Sequence, residues 1–331
     1  MDVEKHHYVA GEMREPLVQN VCNGNIKGNG AKLNKTKLHS KCHLVHHFNP
    51  FLNLGPFNIE VMFYKPFRTI IHDFFTETEM DWMMEYSKPR LSASRAGAIP
   101  DSTKDLSKSD LRYSAGKMGF SVGKAITAWF KDIVYNESEV YRKISEEGEP
   151  LRYDISPLKD PYGYRIIHKT MHEVSKRMEM ATNFNVTSRH GASTYQTTNY
   201  GLSGLVNLHM DPWGYEMGVL IPDDRYTLTQ TGDYIATFMG WFKDTKGGGG
   251  TAFTEKDFEG SIEPTKGSAA FWINLSTCHM KDQRASHAGC PVLKGSKWII
   301  NKWMFSWDQW KDWPCDMESG TTIPPFQGMS Q

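Results

Sequence analysis

The chain has 331 residues, and its 38 basic and 38 acidic side chains give a formal net charge of zero. This balance argues against nucleic acid as a partner, and no stretch approaches the roughly 18 consecutive apolar residues of a membrane helix. Hydrophobic residues make up 39% of the chain, with 10 Trp, 14 Tyr and 17 Phe, a composition that requires a folded core and excludes wholesale disorder.

The first half of the chain predicts strands and two helices. Residues 1–37 are polar and typical of a tail or loop, and residues 48–74 have the apolar runs and Pro/Gly breaks of strands. Thr76 and Glu79 have the spacing of a capping box and Pro89 is a stop signal, so a helix is expected between them. A second helix is expected around 160–182, where apolar residues recur at helical spacing: Ile167, Met171, Val174, Met178 and Ala181. Residues 90–150 are ambiguous, and the sequence leaves open whether they form a lid.

Residues after 190 have the composition and pattern of a β domain. The runs STYQTTNY, DYIATFMGWF, GSAAFWINL and KWIINKWMF are rich in aromatic and β-branched residues. Glycine-rich breaks, most obviously Gly247–Gly250, separate these runs, and no helical pattern lies between them. Many short strands in this arrangement favour a sandwich, a barrel or a jelly roll.

Three residues could form a metal centre. His209 and Asp211 are two residues apart, so in a strand they face the same side and offer an imidazole and a carboxylate together. His287, from a distant strand, could complete a face of two histidines and one carboxylate, which holds Fe(II) and leaves three positions open. The alternative interpretation is a chance His-x-Asp pair and a histidine that serves the core or a turn.

A lysine and a threonine could bind an anion. Lys297 precedes Trp298 and Ile299 in an expected interior strand, where an ammonium group needs an anionic partner such as a carboxylate co-substrate. Lys302 lies nearby and competes for this role, and Lys297 could instead face solvent from one side of the sheet. Thr251 follows the glycine run and has a hydroxyl that can donate to an anion.

A histidine-rich segment near the N-terminus offers a different metal hypothesis. Its soft and borderline ligands have zinc-like spacing, although the match to a regular zinc module is poor. The alternative is a solvated loop. The residues concerned are His39, Cys42, His43, His46 and His47.

The second half of the chain contains an ordered set of motifs, NYG…HMD…GGGGTAF…KGSAAFWINL…SHAGCPVLKGSKWIINKW. This set resembles the catalytic domain of the collagen prolyl 4-hydroxylase α subunit. The similarity covers roughly Cys22 to Cys315. It implies a mainly β fold with flanking helices around a double-stranded β-helix, or jelly-roll, core. The implied domain organisation is a polar tail (1–21), an N-terminal extension (22–75), a dioxygenase domain (76–315, with jelly-roll strands mainly in 190–305) and a C-terminal tail (316–331).

The resemblance also implies an activity and its cofactors. It implies Fe(II)- and 2-oxoglutarate-dependent 4-hydroxylation of peptidyl proline in procollagen-like chains, with O₂ consumed and succinate and CO₂ released. The protein is thereby expected to be an oxidoreductase, a procollagen-proline 4-dioxygenase, supported by L-ascorbate. The implied iron ligands are His209, Asp211 and His287. Lys297 is the implied partner of the distal carboxylate of 2-oxoglutarate, with Tyr200 and Thr251 nearby.

Four of the five cysteines match cysteines of the family, which implies the pairs Cys22–Cys42 and Cys290–Cys315 and leaves Cys278 as a thiol. The compartment inferences conflict. The first residues have no secretory h-region, which favours the cytosol, whereas the family works in the lumen of the endoplasmic reticulum. We expect the endoplasmic reticulum, because the four matched cysteines are independent positions. Protein disulfide isomerase is a further partner that the resemblance suggests.

Three positions depart from the family pattern on or near the substrate side, where Trp303 matches a substrate-facing tryptophan. Val206 stands for a tyrosine and Tyr234 for an arginine, both expected to face the peptide groove. Phe305 stands for a histidine expected near the 2-oxoglutarate head group. Three functions therefore stay open: hydroxylation of procollagen-like chains, the same dioxygenase chemistry on a non-collagen substrate, and a non-catalytic binding paralogue.

Overall fold

The computed structural model describes residues 16–23, 41–45, 52, 54–64, 66–93, 122–130, 161–188, 190–212, 232–255, 258–276 and 278–314. Its helices are α1 (Pro16–Cys22), α2 (Glu77–Ser87) and α3 (Pro161–Thr182), with short 3₁₀ turns at Lys88–Arg90, Gln283–Ala285 and Trp307–Gln309. None of the described helices is long and apolar enough to cross a membrane. The strands are β1 (Lys41–Val45), β2 (Phe57–Tyr64), β3 (Phe67–His72), β4 (Ser92–Ala93), β5 (Val122–Phe130), β6 (Tyr195–His209), β7 (Tyr234–Trp241), β8 (Gly247–Gly248), β9 (Thr251–Glu255), β10 (Phe258–Ile262), β11 (Ala269–Ile273), β12 (His287–Gly289), β13 (Val292–Lys294) and β14 (Lys297–Phe305).

Twelve of the described strands form one antiparallel sheet. Its order is β1-β2-β3-β11-β7-β14-β6-β12-β9-β10, with β4 and β5 joined to it through β6, and β8 and β13 pair separately. Neighbours such as β3 and β11 or β6 and β14 are distant in the chain, so the chain crosses over repeatedly. The long strand β6 pairs with β14 in its first half and with β12 near its end, which curls the sheet. The predicted fold class, mainly β with flanking helices and a jelly-roll core, is confirmed.

The two predicted helices are present. Helix α2 begins after Thr76, whose side chain accepts from the Glu79 backbone while the Glu79 carboxylate accepts from the Thr76 N–H, so the capping box is complete. Helix α3 has the predicted apolar face, because Met171, Val174 and Met178 are all fully buried. Both helices contribute to the larger core cluster on one side of the sheet.

Strand β14 shows how the sheet separates this core from the site. Trp298 and Ile300 belong to the larger cluster, which the helices cover. Ile299 belongs to a second cluster on the other side, together with Trp272 and Phe253. Since successive residues of a strand face opposite sides, Lys297 shares the side of Ile299. The second side of the sheet is therefore the one that holds the candidate site.

The disulfide differs from both predicted pairs. Cys22 is bonded to Cys290, Cys42 is an exposed thiol, and Cys315 lies outside the described residues. The reason is the position of α1, whose Val18 and Val21 pack on Ala252 and Ala288 at the β9–β12 end of the sheet. Strand β1, which carries Cys42, lies at the opposite end. Cys278 keeps its thiol, as predicted, with Sγ 3.0 Å from Ser276 Oγ.

Helix α1 also corrects the N-terminal assignment. Residues 16–21, expected in a polar tail, form most of this helix, because Val18 and Val21 are spaced to bury one face of it against the sheet. The other predicted domain boundaries stay a prediction. Most of the ambiguous segment 90–150 and all of the predicted C-terminal tail lie outside the described residues.

Candidate active site

Strands β6 and β12 bring the three predicted metal ligands together. His287 lies directly opposite His209 in the antiparallel pairing, and Asp211 follows two residues after His209, just beyond the end of β6. The Nε2 atoms of His209 and His287 lie 3.7 and 3.8 Å from the carboxylate oxygens of Asp211. The three side chains form the metal-ligand cluster found among the described residues, with one donor atom from each within 4.8 Å of the others.

Hydrogen bonds to the backbone orient both imidazoles. Nδ1 of His209 lies 2.8 Å from the Asn207 carbonyl, and Nδ1 of His287 lies 3.0 Å from the Ala285 carbonyl. A carbonyl only accepts, so each Nδ1 carries the proton and donates it. The Nε2 lone pair of each ring is therefore left for a metal ion, and the bond at Nδ1 fixes the ring orientation.

His287 is buried among aromatic rings. Its ring centroid lies 4.9 Å from that of Trp272 in an edge-on arrangement and 5.8 Å from that of Phe253. Burial is the largest influence on its pKa and lowers it from the ordinary value of 6.5, because a charged imidazole is disfavoured there. The neutral ring is the form that ligates a metal.

The donor set fits Fe(II). Two donors about 2.1 Å from one ion lie no more than about 4.2 Å apart. The distance from His209 Nε2 to Asp211 Oδ1 and the distance from His287 Nε2 to Asp211 Oδ2 each meet this limit. Two neutral imidazoles and one carboxylate occupy one face of a metal and leave positions for other ligands. His209, Asp211 and His287 are the residues that can hold the ion.

Lys297 is an ammonium group without an ionic partner in the described part of the chain. Its side chain is 3% exposed, and Nζ lies 3.5 Å from Thr251 Oγ1 and 5.6 Å from the Tyr200 ring centroid. Burial lowers the pKa of Lys297 from 10.5 to about 8, although the charge of exposed Glu263 acts in the opposite direction. A buried cation of this kind needs an anion, and a carboxylate that reaches Thr251 and Lys297 supplies one.

Strand register explains why the predicted anion-binding residues meet. Lys297 on β14 lies opposite Tyr200 on β6, and Thr251 on β9 lies opposite Gly289, two residues after His287. Gly248 and Gly249 precede Thr251 with φ values of +67° and +81°, which L side chains rarely adopt. The glycine run therefore makes the turn that delivers the Thr251 hydroxyl to Lys297.

Lys302, the competing lysine, lies on the other side of the sheet. Its Nζ donates to the Ser193 carbonyl at 2.9 Å and lies 4.1 Å from the Tyr195 ring centroid. Tyr195 belongs to the core cluster that the helices cover. The structure thus distinguishes the two lysines and leaves Lys297 beside the candidate site.

The predicted substrate residues fall into two places. Trp303, Tyr234 and Phe305 form an aromatic stack, in which the Tyr234 centroid lies 5.5 Å from that of Trp303 and 5.4 Å from that of Phe305. The stack begins beside Thr237, which lies opposite Trp303 and donates a hydrogen bond to Asp211. Val206 lies opposite Gly289 and packs on the second core cluster. Phe305, expected near the 2-oxoglutarate head group, lies at the end of β14 opposite to Lys297 and stacks on Tyr234.

Sequence reasoning missed three buried polar residues around the metal ligands. Thr237 and Asn274 are 1% exposed and are linked to Asp211 by hydrogen bonds. Arg68 is fully buried, donates to the Arg284 carbonyl and lies 4.3 Å from the Phe253 ring centroid. An arginine inside the apolar run of β3 was a readable signal, whereas threonine is ordinary in a strand.

The zinc hypothesis gains no support in the described part of the chain. Of its five residues only Cys42 and His43 are described, and Cys42 is an exposed thiol. His39, His46 and His47 lie outside the described residues. Among the described residues, only His209, Asp211 and His287 lie close enough together to hold a metal ion.

Comparison with known proteins supports the assignment of this site. The model of the 2OG-Fe(II) oxygenase superfamily matches residues 195–305, which contain all three metal-ligand candidates and Lys297. The chain is 28% identical over 320 residues to prolyl 4-hydroxylase subunit alpha-2 of Caenorhabditis elegans, covering 96% of this chain and 48% of that protein. It is 28% identical over 269 residues to subunit alpha-1 of Rattus norvegicus, covering 81% and 40%. The chain thus spans about half the length, or less, of these relatives.

Solved structures of prolyl hydroxylases are also similar to this chain. The viral collagen prolyl hydroxylase of Paramecium bursaria Chlorella virus-1, in a 2OG complex, is 18% identical with a TM-score of 0.38, covering 72% of this chain and 95% of that one. The Trichoplax adhaerens prolyl hydroxylase, in complex with a hypoxia inducible factor peptide fragment, is 14% identical with a TM-score of 0.39, covering 73% and 84%. Residues 195–305 are therefore similar to a 2OG-Fe(II) oxygenase domain, and the convergent His209, Asp211 and His287 cluster lies within this matched region.

Proposed function

We propose that this chain 4-hydroxylates peptidyl proline in procollagen-like sequences, using Fe(II), 2-oxoglutarate and O₂. One O₂ and one 2-oxoglutarate are consumed for each proline hydroxylated, and succinate and CO₂ are released. When bound, the iron supplies the redox chemistry that couples decarboxylation to oxidation of the C–H bond. The observation that carries the proposal is the buried Lys297 ammonium, which needs an anion, on the same side of the sheet as the His209, Asp211 and His287 cluster.

The residues of the chain have separate tasks in this proposal. His209, Asp211 and His287 hold the metal, and the backbone carbonyls at Asn207 and Ala285 fix the imidazoles. Lys297 and Thr251 bind the distal carboxylate of 2-oxoglutarate, and Tyr200 packs beside Lys297. The buried position of Lys297 excludes water from this pair, which strengthens the electrostatic attraction.

Trp303 and Tyr234 are the proposed substrate contacts, with Val206 as a third. Flat aromatic rings suit the ring of proline and the extended polyproline II conformation of Gly-X-Y chains. The stack reaches the metal ligands through Thr237, because Trp303 lies opposite Thr237 on the neighbouring strand. A proline held on Trp303 is therefore close to Asp211.

The first experiment measures succinate formation and peptide mass together. Purified protein is incubated with Fe(II), ascorbate and 2-oxoglutarate, with and without a (Pro-Pro-Gly) repeat peptide. We expect one succinate and one added oxygen per modified proline, and loss of both signals in His209→Ala. Succinate without any peptide oxidation would contradict the collagen-type substrate but retain the dioxygenase chemistry. Absence of both succinate formation and peptide oxidation, with iron demonstrably bound, would favour a non-catalytic binding paralogue.

A second candidate function is the same chemistry on a non-collagen polypeptide. It is favoured by the apolar character of the substrate side, where Tyr234 stacks on both Trp303 and Phe305 and Val206 packs on the second core cluster. Such a surface offers fewer hydrogen bonds to a peptide backbone than a tyrosine and an arginine would. A panel of proline-containing peptides separates the two functions, and Trp303→Ala should raise the peptide KM in either case while leaving the 2-oxoglutarate KM unchanged.

The cellular setting is part of the proposal. We propose that the protein works in the lumen of the endoplasmic reticulum, uses L-ascorbate to restore oxidised iron, and assembles with protein disulfide isomerase. The Cys22–Cys290 disulfide supports an oxidising compartment. Fractionation of cells that express the tagged full-length protein, followed by co-purification, tests the location and the partner.

A further inference from the structure

Asp211 lies beyond the end of strand β6, so strand pairing does not hold its backbone in place. Strand β6 ends at His209, and Asp211 lies in a bend two residues later. Its side chain is only 7% exposed, so a carboxylate there depends on nearby donors for its orientation. Among the described residues, the hydroxyl of Thr237 supplies the hydrogen bond, with Oγ1 2.5 Å from Asp211 Oδ2.

A second hydrogen bond sets the direction of the Thr237 hydroxyl. The side-chain amide of Asn274 donates from Nδ2 to Thr237 Oγ1 at 2.7 Å. A threonine hydroxyl carries one proton and accepts on its lone pairs. Because Asn274 occupies an acceptor position, the single hydroxyl proton is directed at Asp211. Thr237 and Asn274 thus form a chain of two hydrogen bonds that ends on the carboxylate.

The surroundings keep water away from this chain. Thr237 lies opposite Trp272 on β11 and opposite Trp303 on β14. Directly opposed residues in antiparallel strands project to the same side, so both indoles flank the hydroxyl. Trp272 in turn contacts the ring of His287. The hydrogen bond to Asp211 is therefore made in a dry environment, where it is stronger than in water.

Asn274 is itself held rigidly and is connected to the second histidine. Its backbone N–H donates to the Ile235 carbonyl at 2.8 Å, and its carbonyl accepts from the Asp282 N–H at 3.0 Å. Asp282 opens the 3₁₀ turn that leads to Ala285, the residue whose carbonyl orients His287. Asn274 is therefore bonded both to the hydroxyl that orients Asp211 and to the turn whose carbonyl orients His287.

Packing alone does not explain an amide at this position. Asn274 lies between Ile273 and Leu275 in the core and is 1% exposed. Its Oδ1 is buried and has no hydrogen-bond partner among the described residues, an arrangement that is unfavourable. An apolar side chain would avoid this cost, so the contribution of Asn274 is the Nδ2 donor.

We propose that Thr237 and Asn274 are positioning residues that orient the Asp211 carboxylate for metal binding. The inference rests on the proposed function in so far as the metal is the iron of that reaction. Loss of the Thr237 hydroxyl leaves the buried carboxylate free to rotate, so the metal site is no longer preorganised. Outer-shell partners of metal ligands are typically worth about 10–100-fold in metal affinity.

The test measures metal binding rather than turnover. Co(II) is titrated into the wild-type chain, Thr237→Val and Thr237→Ser, without 2-oxoglutarate or peptide, and both the Kd and the visible absorption spectrum are recorded. Valine has the shape of threonine but no hydroxyl, whereas serine keeps the donor and is the matched control. We expect Thr237→Val to bind Co(II) about 10–100-fold more weakly with an altered spectrum, and Thr237→Ser to remain close to wild type.

A second variant keeps the inference falsifiable if valine prevents folding. Asn274→Asp has nearly the same size but replaces the donor with a group that accepts, so the Thr237 proton is no longer directed only at Asp211. We expect weaker Co(II) binding here too, with a folded circular dichroism spectrum. Wild-type affinity in either folded variant refutes the proposed positioning role. Failure of the wild-type chain itself to bind Co(II) or Fe(II) refutes the proposed function as well.

Discussion

The affinity for 2-oxoglutarate should depend on pH through Lys297. Burial lowers the pKa of this lysine to about 8 in the protein without ligand, and only the protonated form attracts the distal carboxylate. Above pH 8 the lysine must take up a proton before it can bind the ligand. Apparent Kd should therefore be nearly constant below pH 7.5 and rise about tenfold between pH 7 and pH 9, which corresponds to about 1.4 kcal/mol.

His287 and Tyr200, two other groups at the site, titrate outside this window. Burial holds the pKa of His287 below 6.5 and raises the pKa of Tyr200 above 10. The ionisation of Lys297 also makes the free energy of unfolding depend on pH. Because the pKa of Lys297 is lower in the folded chain than in the unfolded chain, its burial lowers the free energy of unfolding, and this cost is present in full below pH 8. This cost is relieved as pH rises from 8 towards 10.5, because the unfolded chain then binds more protons.

The assay is anaerobic calorimetric titration of 2-oxoglutarate into the Fe(II)-loaded chain at pH 7, 8 and 9. The matched control is 2-oxobutyrate, which has the keto acid group but lacks the distal carboxylate. We expect the tenfold rise for 2-oxoglutarate and a flat profile for 2-oxobutyrate. A flat profile for 2-oxoglutarate, or the same slope for both ligands, would refute the assignment of Lys297 as the carboxylate partner.

Three further predictions concern binding and stability. Lys297→Met should weaken 2-oxoglutarate binding by at least about 30-fold. It should also raise the melting temperature of the ligand-free chain, because it removes a buried cation that has no ionic partner in the described structure. A lower melting temperature would contradict this second expectation. Cys22→Ser should lower the free energy of unfolding by about 2–5 kcal/mol in non-reducing denaturant titrations, whereas Cys42→Ser should change nothing. Met178→Ala in helix α3 should cost about 2–5 kcal/mol in the same titration, and a cost under 1 kcal/mol would mean that this face is not core.

The sequence predicted the elements that local chemistry determines. Helix α2 follows from the reciprocal hydrogen bonds of Thr76 and Glu79, and helix α3 follows from apolar residues at helical spacing. His209 and Asp211 lie close together because they are only two residues apart in the chain, although Asp211 lies in a bend just beyond the end of β6. These signals are readable because each involves residues close together in the chain.

Features that depend on the order of strands were not readable. The sequence did not show that β1 and β9 lie at opposite ends of the sheet, so the cysteine pairs taken from the resemblance were wrong. It did not distinguish Lys297 from Lys302, because the neighbouring strands determine which side of β14 faces the site. Thr237 and Asn274 were missed for the same reason, since their importance comes from neighbours on other strands.

Strand β14 connects these observations to specificity. At its start, Lys297 faces Thr251 and Tyr200, where the co-substrate is proposed to bind. Near its end, Trp303 and Phe305 stack on Tyr234. The two ends lie about 20–26 Å apart for six to eight residues at 3.3 Å each. We therefore expect substitutions in the aromatic stack to alter the choice of peptide without disturbing the proposed 2-oxoglutarate site.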